Sequence, residues 1–306
     1  MAVAAVDLNN SCTLGPPARS GRGIPRPLCL GPHPQQELFR CGREYRGYRG
    51  GMAGIDLNAD LGETVDGVPT ADDDAMFAVV SSASIACGGH AGDAASMRDA
   101  VSRAARHGVA VGAHPSFVDR AGFGRTALAV APETLREQVR AQLDALIDVV
   151  ESEAGELQYV KPHGALYHAA SADAAVAAAL AAAVADASAR VGRPLPILGL
   201  PGEVAAAADA AGLPFRSEAF LDRGYLAGGG LVPRGAPGAL LDDADVVAAR
   251  AVRLALHGEV EAVDGRTVRT DAVSLCLHGD SPGAVAMARA VRRALEAASV
   301  EVRAAW

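Results

Sequence analysis

Ile55-Asp56-Leu57-Asn58-Ala59-Asp60-Leu61-Gly62-Glu63 is the stretch on which the fold turns. Apolar and polar residues alternate along it, so Asp56, Asn58 and Asp60 share one face of a strand. Four later β-rich runs close in a related way: Ala86-Cys87-Gly88-Gly89-His90, Gly112-Ala113-His114-Pro115, Lys161-Pro162-His163-Gly164 and Cys276-Leu277-His278-Gly279-Asp280. Each delivers a histidine within a few residues of the strand's carboxyl end, beside Gly or Pro. In a barrel of parallel strands those ends converge on one mouth, where catalytic groups sit.

Working outward, short β-rich runs alternate with helical stretches. Strands are expected at 55–59, 82–87, 109–113, 157–161, 195–199, 215–218 and 272–277, with an eighth at 299–303. Helices are expected at 93–107, 132–152, 171–189, 203–211, 242–257 and 282–297. In the second of these Pro132 suits the first turn, and Leu135, Val139, Leu143, Leu146 and Val150 repeat on one face. Seven or eight such β/α units in ~250 residues predict an α/β fold with a single (β/α) barrel over 52–306. An open doubly wound sheet is the competing architecture. Against it, no Gly-x-Gly-x-x-Gly opens a helix after a strand, and no phosphate loop ends in Gly-Lys.

Residues 1–51 read differently. Proline, glycine and arginine interrupt every apolar run there, so the segment is expected to be a disordered N-terminal extension. Residues 52–306 carry 33 acidic and 21 basic side chains, a net charge of −12 that argues against a nucleic-acid surface. The longest apolar stretch, 174–184, falls short of the ~20 residues that span a bilayer, so no membrane segment is expected. Cys87 and Cys276 lie in strand-like runs, and a reducing cytoplasm is the expected location.

Lys161 is the only lysine among the 28 basic residues. A compact ammonium with a movable pKa differs chemically from the wide, permanently charged guanidinium used everywhere else. Two loops add charge near the expected mouth: Phe117 to Arg125, and Glu218-Ala219-Phe220-Leu221-Asp222-Arg223 followed by Gly228-Gly229-Gly230 and Pro233-Arg234. The glycine triplet before Arg234 is expected to form a mobile lid carrying a cation for an anionic group.

Taken together, these motifs resemble one family, LamB/YcsF, the A subunit of bacterial 5-oxoprolinase. The resemblance rests on Asp56 to Glu63, Ala86 to Asp93, Gly112 to Ser116, Gly122 to Arg125, Lys161 to Tyr167, Glu218 to Phe220 with Asp222-Arg223, and Leu277 to Asp280, in order across 54–290. His168 departs from the asparagine expected after Tyr167, and the extension lies outside the pattern.

The resemblance implies a barrel of the glycoside hydrolase/deacetylase type and ATP-dependent opening of 5-oxoproline to L-glutamate, together with B and C subunits. It implies ATP, with Mg²⁺, as cofactor, and leaves open which subunit holds the nucleotide and whether the chain forms homo-oligomers. On this reading Lys161 balances charge on the lactam oxygen or a transferred phosphoryl group. Asp60 or His163 activates water, and His90, His114 and His278 bind substrate or relay protons. Arg125 or Arg234 holds the substrate carboxylate, and Asn58, Glu63, Glu218, Asp222 and Asp280 complete the substrate site. No protein-bound metal is assigned on this reading. Two alternatives stay open: a metal-dependent deacetylase or amidase with an ion on Asp60, His90 and His114, and a non-catalytic subunit that presents the substrate.

Overall fold

A computed structural model describes residues 53–281 and 283–306. The expected extension, 1–51, lies outside the described residues. Eight parallel strands carry the sheet: β1 (Ala53–Leu61), β2 (Ser82–Ala86), β3 (Ala110–His114), β4 (Leu157–Val160), β5 (Ile197–Gly199), β6 (Phe215–Phe220), β7 (Ser274–Cys276) and β8 (Val300–Val302). Each of β1 to β6 pairs with the next, and β7 returns to β1 with Asp56 opposite Ser274 and Asn58 opposite Cys276. Seven strands therefore close a ring. β8 adds outside it on the first residues of β1, with Gly54 opposite Glu301.

Helices wrap the ring: α1 (Asp73–Phe77), α2 (Ala94–His107), α3 (Pro132–Ser152), α4 (Gly164–Ala172), α5 (Ala174–Val191), α6 (Glu203–Ala210), α7 (Ala244–His257) and α8 (Ala284–Ala297). Their ends follow local chemistry. Asp93 and Ser96 form a reciprocal capping box on α2, and left-handed glycines stop α2, α5 and α7 at Gly108, Gly192 and Gly258. The helix expected at 171–189 is two helices. Asp173 is extended, ending α4 and capping α5 by accepting from Ala175 N and Val176 N.

By length and composition α5 alone among the described helices could cross a membrane, because its alanine run continues past the stretch read from sequence. In the fold it lies along α3, buries Leu180, Val184 and small residues between them, and pairs Asp186 with Arg136.

The alternation in β1 sorts its side chains. Leu57, Ala59 and Leu61 are fully buried in the apolar layer, where a Leu contributes about 1.5–3 kcal/mol over exposure. Asp56, Asn58 and Asp60 form the other column, inside the ring. At its lower end Asp56 accepts from the hydroxyls of Ser81, Ser82 and Ser274, and burial pushes its carboxyl up to about 6 against those bonds. Tyr159 fills the next level: its hydroxyl lies 3.0 Å from Ser84 Oγ and its ring stacks on Trp306. Gly112 leaves it room, since a Cβ there would lie 2.2 Å from that ring.

Candidate active site

Lys161 rises from the end of β4 and is 1% exposed. Its Nζ lies 2.9 Å from Asp60 Oδ1, 2.9 Å from Glu218 Oε1, 3.0 Å from Asn58 Oδ1 and 3.2 Å from Cys276 Sγ. Three strands, β1 twice, thus supply four acceptors to an ammonium with three donors, which is saturated by protein groups. Burial by itself would lower its pKa, but the Asp60 and Glu218 carboxylates outweigh that and hold it well above the ordinary value, so it stays charged. Burial would raise Asp60, yet His114 and Lys161 hold its carboxyl well below the usual range.

Asn58 and Glu218 lie beneath the lysine. Asn58 Nδ2 donates to Glu218 Oε1 at 2.9 Å and to Ser274 Oγ at 2.7 Å, while Tyr167 donates its hydroxyl to Glu218 Oε2 at 3.0 Å. Both are 1% exposed or less, so in this geometry they support Lys161 from below.

Three of the four strand-end histidines gather beside this pair. His114 Nδ1 lies 2.7 Å from the Lys161 carbonyl, and its Nε2 lies 2.9 Å from His163 Nδ1 and 3.3 Å from Asp60 Oδ2. His163 Nε2 lies 3.0 Å from the Phe123 carbonyl, and its ring stacks on His90 at 3.7 Å. His90 Nε2 is 2.9 Å from Glu63 Oε1. Burial, with His114 behind it, pushes both His90 and His163 well below the usual histidine range, and burial pushes Glu63 up. One donor atom from each of Glu63, His90, His114 and His163 lies within 4.8 Å of the others. The set read from sequence had Asp60 in place of Glu63 and His163; Asp60 gives Oδ1 to Lys161 and brings Oδ2 to 3.3 Å from His114 Nε2. A second group, Asp60, Cys276 and His278, also converges. There the lysine ammonium already supplies the cation.

The loop after β3 holds the histidines in place. Asp119 ties it by accepting from Gly122 N and Thr126 N, and Arg120 donates to the carbonyls of Gly88 and Gly92. Phe123 and Gly124 both have positive φ, at 53° and 65°. A Cβ on Gly124 would lie 2.8 Å from His90 Cβ and 2.9 Å from His163 Cδ2, so only glycine fits.

His278 stands apart from the other three. Its Nδ1 is 2.9 Å from Asp222 Oδ2 and its Nε2 is 3.0 Å from Arg234 Nη2. Burial opposes its charge, but Asp222 outweighs burial and raises its pKa, while Arg234 acts against. Burial opposes ionisation of Asp222 too, and His278 lowers it below the usual range.

The expected lid has a different construction. Leu226 N donates to Gly230 O and Gly229 N to Leu226 O, so the glycine triplet closes a tight turn. Buried Arg223 straps the segment by donating to the carbonyls of Val232 and Ala239. Arg234 follows directly on this hydrogen-bonded segment.

A cavity of about 490 Å³ opens over these groups. Asp60, Glu63, Lys161 and His163 form its floor, and Arg125 and Arg234 stand in its wall, Arg125 paired with Asp280 at 3.0 Å. A small anionic molecule seated there meets guanidinium groups at one end and a carboxylate–ammonium pair with histidines at the other. Tyr167, Phe123, Gly124 and Arg223 belong to this architecture without having been given a role from sequence. The motifs around them carried the signal, but side-chain and carbonyl partners appear only in three dimensions.

The model of the LamB/YcsF family matches residues 55–306. The chain is 47% identical over 249 residues to the 5-oxoprolinase A subunit of Corynebacterium jeikeium, covering 81% of this chain and 95% of that protein. It is 49% identical over 253 residues to the 5-oxoprolinase A subunit of Streptomyces avermitilis, covering 82% and 99%. Among solved structures, the lactam utilization protein from Thermus thermophilus superposes with a TM-score of 0.77 at 46% identity, covering 82% of this chain and 99% of that one. The chain belongs to the LamB/YcsF family.

Proposed function

We propose that this LamB/YcsF family member is the component of a multi-subunit 5-oxoprolinase that hydrolyses the activated lactam ring of 5-oxoproline to L-glutamate. The names of its relatives support the substrate. The observation that carries the chemistry is the buried Lys161–Asp60 pair at the floor of a cavity walled by Arg125 and Arg234.

A five-membered lactam is a stabilised amide, and transfer of a phosphoryl group from ATP to its oxygen makes the ring carbon electrophilic. We assign the nucleotide and its Mg²⁺ to the partner B and C subunits. The only lysine, which a phosphate loop would require, is committed at the barrel floor.

Within this chain, Arg234 or Arg125 binds the substrate carboxylate. Asp60, ionised and fixed by Lys161, takes a proton from the attacking water. The ammonium places a fixed positive charge beneath the reacting centre. Departure of the ring nitrogen leaves an acyl phosphate, which a second water hydrolyses to glutamate and phosphate. His278, accepting from Arg234 at Nε2 and turned to Asp222 at Nδ1, holds Arg234 in the cavity wall. Cys87 and Cys276 are free, buried thiols, which suits the cytoplasm.

The test is release of glutamate and ADP from 5-oxoproline and ATP, with this chain alone and then mixed with B and C subunits. Turnover confined to the mixture is the expected result. Unchanged turnover when Asp60→Asn replaces the wild-type chain in the mixture would sink the assignment of the ring-opening step to this barrel.

A further inference from the structure

The ring-opening scheme asks at most one proton transfer of the histidine cluster and leaves its geometry unexplained. A carbonyl oxygen only accepts. The bond to Lys161 O therefore fixes the hydrogen of His114 on Nδ1, and the bond to Phe123 O fixes that of His163 on Nε2. In the neutral rings the remaining lone pairs are on His114 Nε2 and His163 Nδ1, which lie 2.9 Å apart. Two lone pairs at that separation repel unless a positive centre lies between them.

A shared proton would need those two nitrogens alone. Here a Glu63 oxygen lies 3.5 Å from His163 Nδ1 and 2.9 Å from His90 Nε2, and all four side chains are buried. His90 also keeps Nδ1 buried without a partner. Four donors drawn to one point are more than a proton uses and match the number a tetrahedral ion takes.

We infer that Glu63, His90, His114 and His163 form a binding site for one divalent transition-metal ion. Three imidazoles and a carboxylate, without thiolate, suit Zn²⁺ or Co²⁺ and are too nitrogen-rich for Mg²⁺ or Ca²⁺. The outer nitrogens of two ligands are already held by backbone carbonyls, the usual second layer of a metal centre, and Gly124 packs against the His163 ring and the His90 β-carbon. The inference goes beyond the ring-opening reading and holds whatever the substrate is.

The full chain, stripped with chelator and dialysed, is titrated with Co²⁺ and with Zn²⁺. The expected result is one ion per chain by elemental analysis, a Co²⁺ absorption band in the visible, and about three imidazoles in the X-ray absorption fine structure of the wild-type Zn²⁺ form. Affinity falls at least tenfold in His163→Gln and in Glu63→Gln, with folding checked by circular dichroism, and stays within twofold in His168→Asn. Absence of stoichiometric binding to the wild-type chain, or a bound ion without imidazole scattering, overturns the proposal. Either outcome is independent of glutamate release, so the site and the ring-opening reading fail separately.

Discussion

Lys161 holds His114 with its backbone and Asp60 with its side chain: its carbonyl is 2.7 Å from His114 Nδ1 and its ammonium 2.9 Å from Asp60 Oδ1. The loop closes where Asp60 Oδ2 comes within 3.3 Å of His114 Nε2. One residue therefore fixes both the ring and the carboxylate on which the proposed water activation depends.

Lys161→Met is expected to destabilise the fold by about 3–5 kcal/mol, because it leaves Asp60 and Glu218 buried without their counter-charge. Lys161→Arg keeps the charge, but a planar fork cannot meet four acceptors clustered within 3.2 Å. Denaturant melts should rank wild type above Arg above Met, with ring opening in the assembled enzyme down about 100-fold or more for both. Full activity in Lys161→Arg would remove the case for a lysine-specific site.

His278 should titrate above 6.5 in the folded chain, because Asp222 outweighs burial. A raised histidine contributes stability that is complete below its unfolded pKa and is lost as pH rises through the folded value. In Asp222→Asn the two largest raising influences are lost and burial and Arg234 are opposed only by the Asp60 carboxylate, so the midpoint should fall. Imidazole proton shifts in NMR, followed from pH 5 to about 9, report both. An unmoved midpoint in the variant would contradict the pair.

Gly124→Ala asks a β-carbon to occupy a positive-φ position 2.8 Å from His90 Cβ. Strain of about 1–3 kcal/mol should appear as a lowered melting temperature. Ring opening should fall further than stability alone accounts for, because His90 and His163 are displaced.

Asp173→Ala removes the cap of α5 and should cost about 1 kcal/mol. Because Asp173 touches no cavity group, kcat/KM measured well below the melting temperature should match wild type. Such a loss of stability without loss of rate calibrates the other variants.

The ring was legible because period-two alternation and glycine-bounded strand ends survive in the linear order. All seven barrel strands and β8 fall within a few residues of where the runs of Ile, Val and Ala placed them. The break at Asp173 was obscured by alanines on both sides, although an Asp followed by a helical run is itself a cap signal. Strand ends also marked His90, His114, His163 and His278 as a set. Nothing in their spacing separates His278, which Asp222 and Arg234 draw away from the other three. The layering of Asn58 and Glu218 under Lys161 was likewise hidden, since it depends on how far each β-carbon lies below the rim.

β7 closes on β1, and three of the principal contacts at the floor cross the ring. Lys161–Asp60, His114–His163 and Asn58–Glu218 each join a residue from β1 to β3 with one from β4 or later. Cut between β3 and β4, neither half inherits a working fragment of the site. Closure of β7 on β1 therefore does more than bury two strand edges: it is what brings a charge pair, an imidazole pair and an amide–carboxylate pair from distant parts of the sequence onto one floor.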